Sequence, residues 1–387
     1  MVLSIMTQRR MPLLLVLACY CVCWGTHNSH AFSPVAFVPQ RNAHYLSLLS
    51  TASSSSEAVS SSANNNVVNE EDYDLSLFSP CKINLFLRII RKREDGFHDL
   101  ASLFQTVGFG DMLHLKLLGA DETTSDEFDC NMEGVPTDQS NLVLRALTLL
   151  REKTGLSNQF FRANLVKCVP AQAGLGGGSG NAAAALYGAN ELLGRPATQE
   201  QLVEWSGALG SDITFFLSRG TAYCTGRGEI MSLVEPPLPA GTKLCIVKPQ
   251  LGLSTPQVFG AMDYDKLSDA DPQELLQQFT SSNGPEGSSM TSVADVPDSC
   301  YVNDLEFPAF QCVPELKELK EQLLKVEGFQ HVLMSGSGTS IFCMGEPTDK
   351  DAFQKEFGSR DDLLVVFTEF INRGPGDGVW FEEPSSN

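Results

Sequence analysis

Val169-Pro170-Ala171-Gln172-Ala173-Gly174-Leu175-Gly176-Gly177-Gly178-Ser179-Gly180-Asn181, followed by the four alanines Ala182 to Ala185, is the stretch on which the reading of this 387-residue chain turns. A β-like run at Leu165, Val166, Cys168 and Val169 ends at Pro170, and a glycine-rich loop then opens an alanine-led helix. The N–H groups of such a loop can wrap a polyphosphate, and the helix N-terminus adds about half a positive charge at the same spot. Small residues in the first turn let an anion approach the backbone. The loop is not a P-loop, because the chain contains no Gly-Lys pair. A dinucleotide fingerprint begun at Gly174 and Gly176 would put Ser179 where its third glycine belongs. Neither His-Arg-Asp nor Asp-Phe-Gly, the protein-kinase signatures, occurs. Taken alone, the loop is equally a tight strand-to-helix connection, so its neighbours decide.

Upstream, Ser79 to Leu87 reads as a strand with Lys82, Asn84 and Phe86 on one face and Ile83, Leu85 and Leu87 on the other. A lysine and an asparagine inside an apolar strand are costly without partners; the alternative is an edge strand with a solvated lysine. The charged turn from Arg91 to Leu100 then delivers Phe97 and His98 together, as ligand contacts or as one core and one surface residue. Downstream, Thr198 and Gln201 form a capping box ahead of a helix ending near Gly210. Asp212, before the apolar run Ile213 to Leu217, is either a helix cap or a carboxylate held for chemistry; in isolation the cap is favoured. Thr221 to Glu229 reads as strand and turn. Val332 to Phe342 gives a strand, the small-residue loop Ser335-Gly336-Ser337-Gly338, then another strand. That loop suits close approach to a ligand or to the first glycine loop.

The ordered set Lys82-Ile83-Asn84, Gly96-Phe97-His98, Gly174 to Ser179, Gly210-Ser211-Asp212 and Ser335 to Gly338 resembles the galactokinase–homoserine kinase–mevalonate kinase–phosphomevalonate kinase (GHMP) superfamily. Within it, the set is similar to the plastid branch acting on 4-diphosphocytidyl-2-C-methyl-D-erythritol in the non-mevalonate isoprenoid pathway. The resemblance runs from about residue 77 to 370. It implies an α+β, two-lobed GHMP kinase fold. The first lobe would be ribosomal-protein-S5-domain-2-like, the second ferredoxin-like, with the active site in the cleft between them. It also implies transfer of the ATP γ-phosphate to the 2-hydroxyl of that substrate. Asp212 would accept the hydroxyl proton, and Lys82 would keep Asp212 ionised and neutralise developing charge. Asn84 would orient the substrate, Phe97 would stack on cytosine while His98 reads its polar edge, and Thr255 and Phe259 would contact substrate. Pro170 to Asn181 would cradle the ATP phosphates, with Mg²⁺ bridging phosphate oxygens and no dedicated protein metal site. Departures from the family pattern are Phe97 for a tyrosine, Gly180 for a second serine, Thr214 for a proline, and Thr339-Ser340 in reversed order.

Arg9 and Arg10 precede an apolar run from Pro12 to Trp24, shorter than the ~18 residues that span a bilayer. That pattern predicts a signal peptide over residues 1–31, cut after Ser29-His30-Ala31. Serine- and asparagine-rich residues 32–73 read as transit peptide and linker, together resembling a leader for plastid import machinery and, in the mature form, no membrane association. Lobes are predicted at 74–239 and 240–387, with a surface insertion at 268–299. The net charge is −20; three arginines against one glutamate in residues 1–69 leave −22 for the rest, which disfavours nucleic-acid binding. Eleven cysteines without a Cys-x-x-Cys pair suggest neither a zinc ribbon nor a disulfide framework, and Cys81 reads as a small buried residue. Two other readings remain at this stage. Another superfamily kinase would not need Phe97 and His98; a nicotinamide oxidoreductase or nucleotide sensor fits poorly with Ser179 and with an intact Lys82 and Asp212.

Overall fold

The structure, a computed structural model, describes residues 68–280 and 292–384 except 120, 122, 375 and 377. The leader expectations for 1–31 and most of 32–73 lie outside the described residues.

A long hairpin organises the first lobe: β1 (Leu75–Lys92) pairs antiparallel with β2 (His98–Leu118) along nearly its whole length. The sheet is completed by β3 (Glu127–Cys130), β4 (Phe160–Val166), β5 (Thr221–Gly226) and β6 (Ile230–Leu233), in the order β3-β4-β2-β5-β6 with β1 on β2. The α-helices of this lobe are α1 (Leu142–Thr154), α2 (Gly177–Leu192), α3 (Gln199–Ser206) and α4 (Ile213–Phe216) among the described residues. Small residues let α2 sit unusually close to the sheet. Ala182 to Ala185 are fully buried, and a Cβ on Gly188 would come within 2.7 Å of Leu77 and Leu115. The core beneath gathers Leu113, Leu115, Leu147, Phe161, Phe215 and Phe216, each worth roughly 1.5–3 kcal/mol in removal from water.

The second sheet takes β7 (Lys243–Pro249), β8 (Phe329–Met334), β9 (Ile341–Gly345) and β10 (Leu363–Glu369) in the order β10-β7-β9-β8, all antiparallel. Numbered within the lobe this is 4-1-3-2, the ferredoxin-like order. Its helices are α5 (Thr255–Gly260), α6 (Pro272–Thr280), α7 (Glu306–Cys312), α8 (Pro314–Leu323) and α9 (Lys350–Phe353). On α8 the apolar face Leu316, Leu319, Leu323 is buried, as its spacing predicts. No described helix is long and apolar enough to cross a membrane.

Four sequence expectations need correction. The stretch 268–299 is not wholly a surface insertion. Its residues 272–280 form α6, which buries Leu275 and stacks Phe279 on Phe86 at 5.9 Å, because an amphipathic face was available to cover β1. The second lobe does not keep the whole C-terminus: the Trp380 indole N–H donates to Phe78 O at 2.7 Å and its ring stacks on Tyr187 at 4.5 Å, both in the first lobe. The strand before the glycine loop ends at Val166, because the Cys168 and Val169 N–H groups turn to the Asp111 carboxylate at 2.7 and 2.8 Å. Finally, Phe86 does not share a face with Lys82 and Asn84. The register shifts between Asn84 and Phe86, so one extra residue flips the alternation. Phe86 then joins Ile83 and Leu85 in the core, while Leu87 takes the Lys82 side.

The lobes are tied across β1. Leu87 bridges to Asn303, and Arg88 Nε donates to Asp304 Oδ2 at 2.9 Å in a pair with almost no exposure.

Candidate active site

The two small-residue loops meet face to face. Gly174 (φ +76°) and Gly336 (φ +58°) both occupy left-handed backbone. A Cβ on Gly174 would lie 2.8 Å from Gly338 N, and one on Gly338 would lie 2.5 Å from Ala173 O. Ser335 Oγ donates to Gly174 O at 3.0 Å, and Ser340 N donates to Ala173 O at 3.2 Å. The second loop therefore approaches the first. Asn303 fixes it from behind, its Nδ2 donating to Met334 O and Gly336 O, both at 2.8 Å.

At this junction α2 begins. Gly176 is its N-cap in left-handed backbone, no side chain caps its first N–H groups, and no acidic residue stands in its first turn. Those donors and the helix dipole face a cleft of about 860 Å³. Gly176 has little room for a side chain: at φ +69° a Cβ would be strained, and it would press on Lys82 Cγ and Phe216 Cζ at 3.0 Å.

Lys82 enters the cleft from β1 and is 4% exposed. Its Nζ donates to Asn84 Oδ1 at 2.8 Å, lies 3.7 Å from Asp212 Oδ2, and sits over the Phe104 ring at 4.9 Å. Burial lowers its pKa below the ordinary lysine value, with the Asp212 charge pulling the other way. Asn84 Nδ2 in turn donates to Ser102 Oγ at 2.8 Å. Asp212 precedes α4 but makes no capping bond, so its carboxylate is free to face Lys82. The fully buried Phe215 and Phe216 anchor α4 behind it. Thr214 Oγ1 bonds Ser206 Oγ at 3.0 Å.

The other end of the cleft is aromatic. Phe97 is 55% exposed, while His98 stacks on Phe259 at 4.6 Å and shares a hydrogen bond of 2.7 Å with Tyr264 through Nε2. Burial, with Lys92 nearby, lowers the His98 pKa and favours the neutral ring at pH 7. Thr255 Oγ1 bonds Ser337 Oγ at 2.8 Å at the cleft wall. Beyond the α2 N-terminus the cleft continues over Val135, Pro136, Leu142 and Leu165, an apolar shelf that no sequence pattern announced.

Of the residues singled out in the sequence, Pro170 to Ser179, Lys82, Asn84, Phe97, His98, Asp212, Thr255 and Phe259 line this one cleft. Gly180 does not: a Cβ there would lie 2.8 Å from Pro80 O, so it is a packing glycine, turned away from the cleft. Asn181 reaches the cleft wall, but its amide donates to Ser79 Oγ and Asp111 Oδ2 at 2.9 and 2.8 Å, which makes it a strut. Sequence reasoning missed the hub of that network. Asp111, fully buried, also accepts from Lys167 Nζ at 2.7 Å and fastens the entry to the glycine loop. Cys81 is fully buried and burial pushes its thiol well up, leaving it unreactive. Among the described residues no cluster of three or more His, Cys, Asp or Glu is arranged to hold a metal ion.

A two-lobed fold with a helix N-terminus, an amine and a carboxylate converging on one cleft defines a small-molecule phosphotransferase of the GHMP type. Comparison with known proteins agrees: the GHMP kinases N terminal domain matches residues 141–220 and the GHMP kinases C terminal domain matches 293–361. The chain is 45% identical over 315 residues to a chloroplastic 4-diphosphocytidyl-2-C-methyl-D-erythritol kinase of Oryza sativa subsp. japonica, covering 81% of this chain and 74% of that one. It is 46% identical over 291 residues to the kinase of that name from Protochlamydia amoebophila, covering 74% and 91%. A crystal structure of a 4-(cytidine 5'-diphospho)-2C-methyl-D-erythritol kinase superimposes with TM-score 0.61 at 29% identity, over 77% of this chain and 99% of that one. The chain belongs to the 4-diphosphocytidyl-2-C-methyl-D-erythritol kinase family of the GHMP kinases.

Proposed function

We propose that this protein transfers the γ-phosphate of ATP to the 2-hydroxyl of 4-diphosphocytidyl-2-C-methyl-D-erythritol, yielding the 2-phosphate and ADP in the methylerythritol phosphate route to isoprenoid precursors. The observation that carries the reading is the Lys82–Asp212 pair, 3.7 Å apart, in a cleft lined at one end by the uncapped start of α2 and at the other by Phe97, His98 and Phe259. A substrate with a pyrimidine at one end and an alcohol at the other suits that span.

In this reading the loop from Pro170 to Ser179 and the α2 N-terminus hold the ATP phosphates, and the apolar shelf at Val135, Leu142 and Leu165 receives the purine. A Mg²⁺ carried by the nucleotide would supply charge neutralisation at the phosphates, which this loop and helix start would hold. Asp212 takes the proton from the attacking hydroxyl. Its partly exposed position leaves room for the alcohol, with the Lys82 ammonium 3.7 Å away. Lys82 and the α2 dipole oppose the negative charge that spreads over the transferred group. Asn84, held by Lys82 and Ser102, orients the acceptor. Phe97, 55% exposed, offers one face of its ring to the cytosine, and neutral His98 a polar edge once Tyr264 yields it.

By the same token, the chloroplastic relatives and the composition of residues 1–73 support delivery to a plastid by signal plus transit peptide. The direct test of function is product analysis by phosphorus NMR, with ATP and, in turn, diphosphocytidyl-methylerythritol, homoserine and mevalonate. A new phosphomonoester is expected only on the first. Turnover of homoserine or mevalonate alone would replace this substrate assignment.

A further inference from the structure

Arg227 follows β5 in the turn Thr225-Gly226-Arg227-Gly228, which no role assigned above uses. Its position links the aromatic end of the cleft to Asp212. The guanidinium lies over the Phe97 ring, 5.2 Å from its centroid, while the adjoining Gly228 would place a Cβ 3.5 Å from Asp212 Oδ1. Arg227 itself lines the cleft. Any ligand laid from the Phe97 platform to the Asp212 carboxylate must pass this turn.

The charges of the cleft are otherwise occupied. Lys82 faces Asp212, and Lys167 is bonded to the buried Asp111 at 2.7 Å. Among the described residues the Arg227 side chain has only loose partners: its Nε stands 3.4 Å from Glu229 Oε1, and its charge also acts on the Asp95 carboxylate, whereas Glu229 Oε2 accepts the Arg227 backbone N–H at 2.6 Å. Glu229 therefore shapes the turn through the backbone and leaves the guanidinium fork to the cleft. The cation–π contact with Phe97 positions that fork without consuming its donors. A planar, preoriented guanidinium is the group best matched to two adjacent phosphate oxygens.

Resting on the substrate reading above, we propose that Arg227 grips the diphosphate between the cytidine and the sugar alcohol, making it a specificity-determining residue for cytidine 5'-diphosphate ligands. ATP, held at the opposite wall by α2, does not need it.

The test compares cytidine with CDP by calorimetric titration of the full-length protein and its R227A and R227K variants, alongside steady-state kinetics. The wild type is expected to prefer CDP, and R227A to lose about 10- to 100-fold of CDP affinity while cytidine binding holds. In turnover, R227A should raise KM for the diphosphocytidyl substrate by a similar factor, with kcat and the KM for ATP within about threefold. R227K, which keeps a charge without the planar fork, should recover only part of the preference; R227Q carries the same test should R227A fail to fold. Equal loss of cytidine and CDP binding would mean Arg227 only shapes the turn, and would overturn the proposal. A fall in kcat or a raised KM for ATP with the CDP preference intact would overturn it too, by moving Arg227 to the transferred phosphate. A wild type that binds CDP over cytidine yet turns over no diphosphocytidyl alcohol would defeat the substrate reading and leave the Arg227 test standing.

Discussion

Lys82 is a buried cation whose two neighbours pull in opposite directions. Burial favours the neutral amine, and Asp212 at 3.7 Å favours the ammonium; burial prevails and the pKa is lowered. The ammonium is therefore lost at a lower pH than that of an exposed lysine. We expect kcat to fall on the alkaline side with a midpoint below the ordinary lysine value of 10.5. Substituting Asp212→Asn should move that midpoint lower still, because the charge that supports the ammonium is gone. A pH–rate profile checks both, and an unchanged midpoint in the variant would show that the pair does not couple. Lys82 and Asn84 were legible in the sequence because polar residues in an apolar strand demand partners. Asp212 was legible only through the family motif, since the residue alone reads as a cap. Asp111 and Tyr264 were not legible at all. Their partners, Val169 and His98, are distant in sequence and no local spacing links them.

At the scale of elements, the glycine loop is held by a second loop rather than by its own helix alone. Gly338 packs so closely on Ala173 and Gly174 that even a methyl group overlaps their backbone. The substitution Gly338→Ala should push the loops apart, raising the KM for ATP and lowering stability by about 1–3 kcal/mol, read by kinetics and urea denaturation. Wild-type values for both would show that the contact is not needed to shape the cradle. The interlock was foreseeable in kind, because two small-residue loops invite close approach. The bulge after Asn84 was not: strict alternation put Phe86 beside Lys82, and a one-residue register shift reverses that without leaving a mark in residue types. The same limit applies to α6, whose serine- and acid-rich surroundings hid the amphipathic turn that buries Leu275 and Phe279.

Across the whole molecule, the lobes share more than a cleft. Arg88 and Asp304 form a buried pair across β1, Asn303 props the second loop, and the C-terminal Trp380 returns to the first lobe's core. Domain boundaries drawn from composition could not show that return, because a single tryptophan near a chain end carries no topological signal. These ties hold the first-lobe strand with Lys82 and the turn with Asp212 in fixed relation to the loops from Gly174 and Gly336, and on that convergence the chemistry depends. The most direct measurement is the single-turnover rate of phosphoryl transfer in Asp212→Asn, with ATP and diphosphocytidyl-methylerythritol both saturating and binding of each checked by titration. A loss on the order of 10²- to 10⁴-fold in rate, with both affinities within a few-fold of wild type, is the predicted result. A variant that transfers phosphate at close to the wild-type rate would contradict the account.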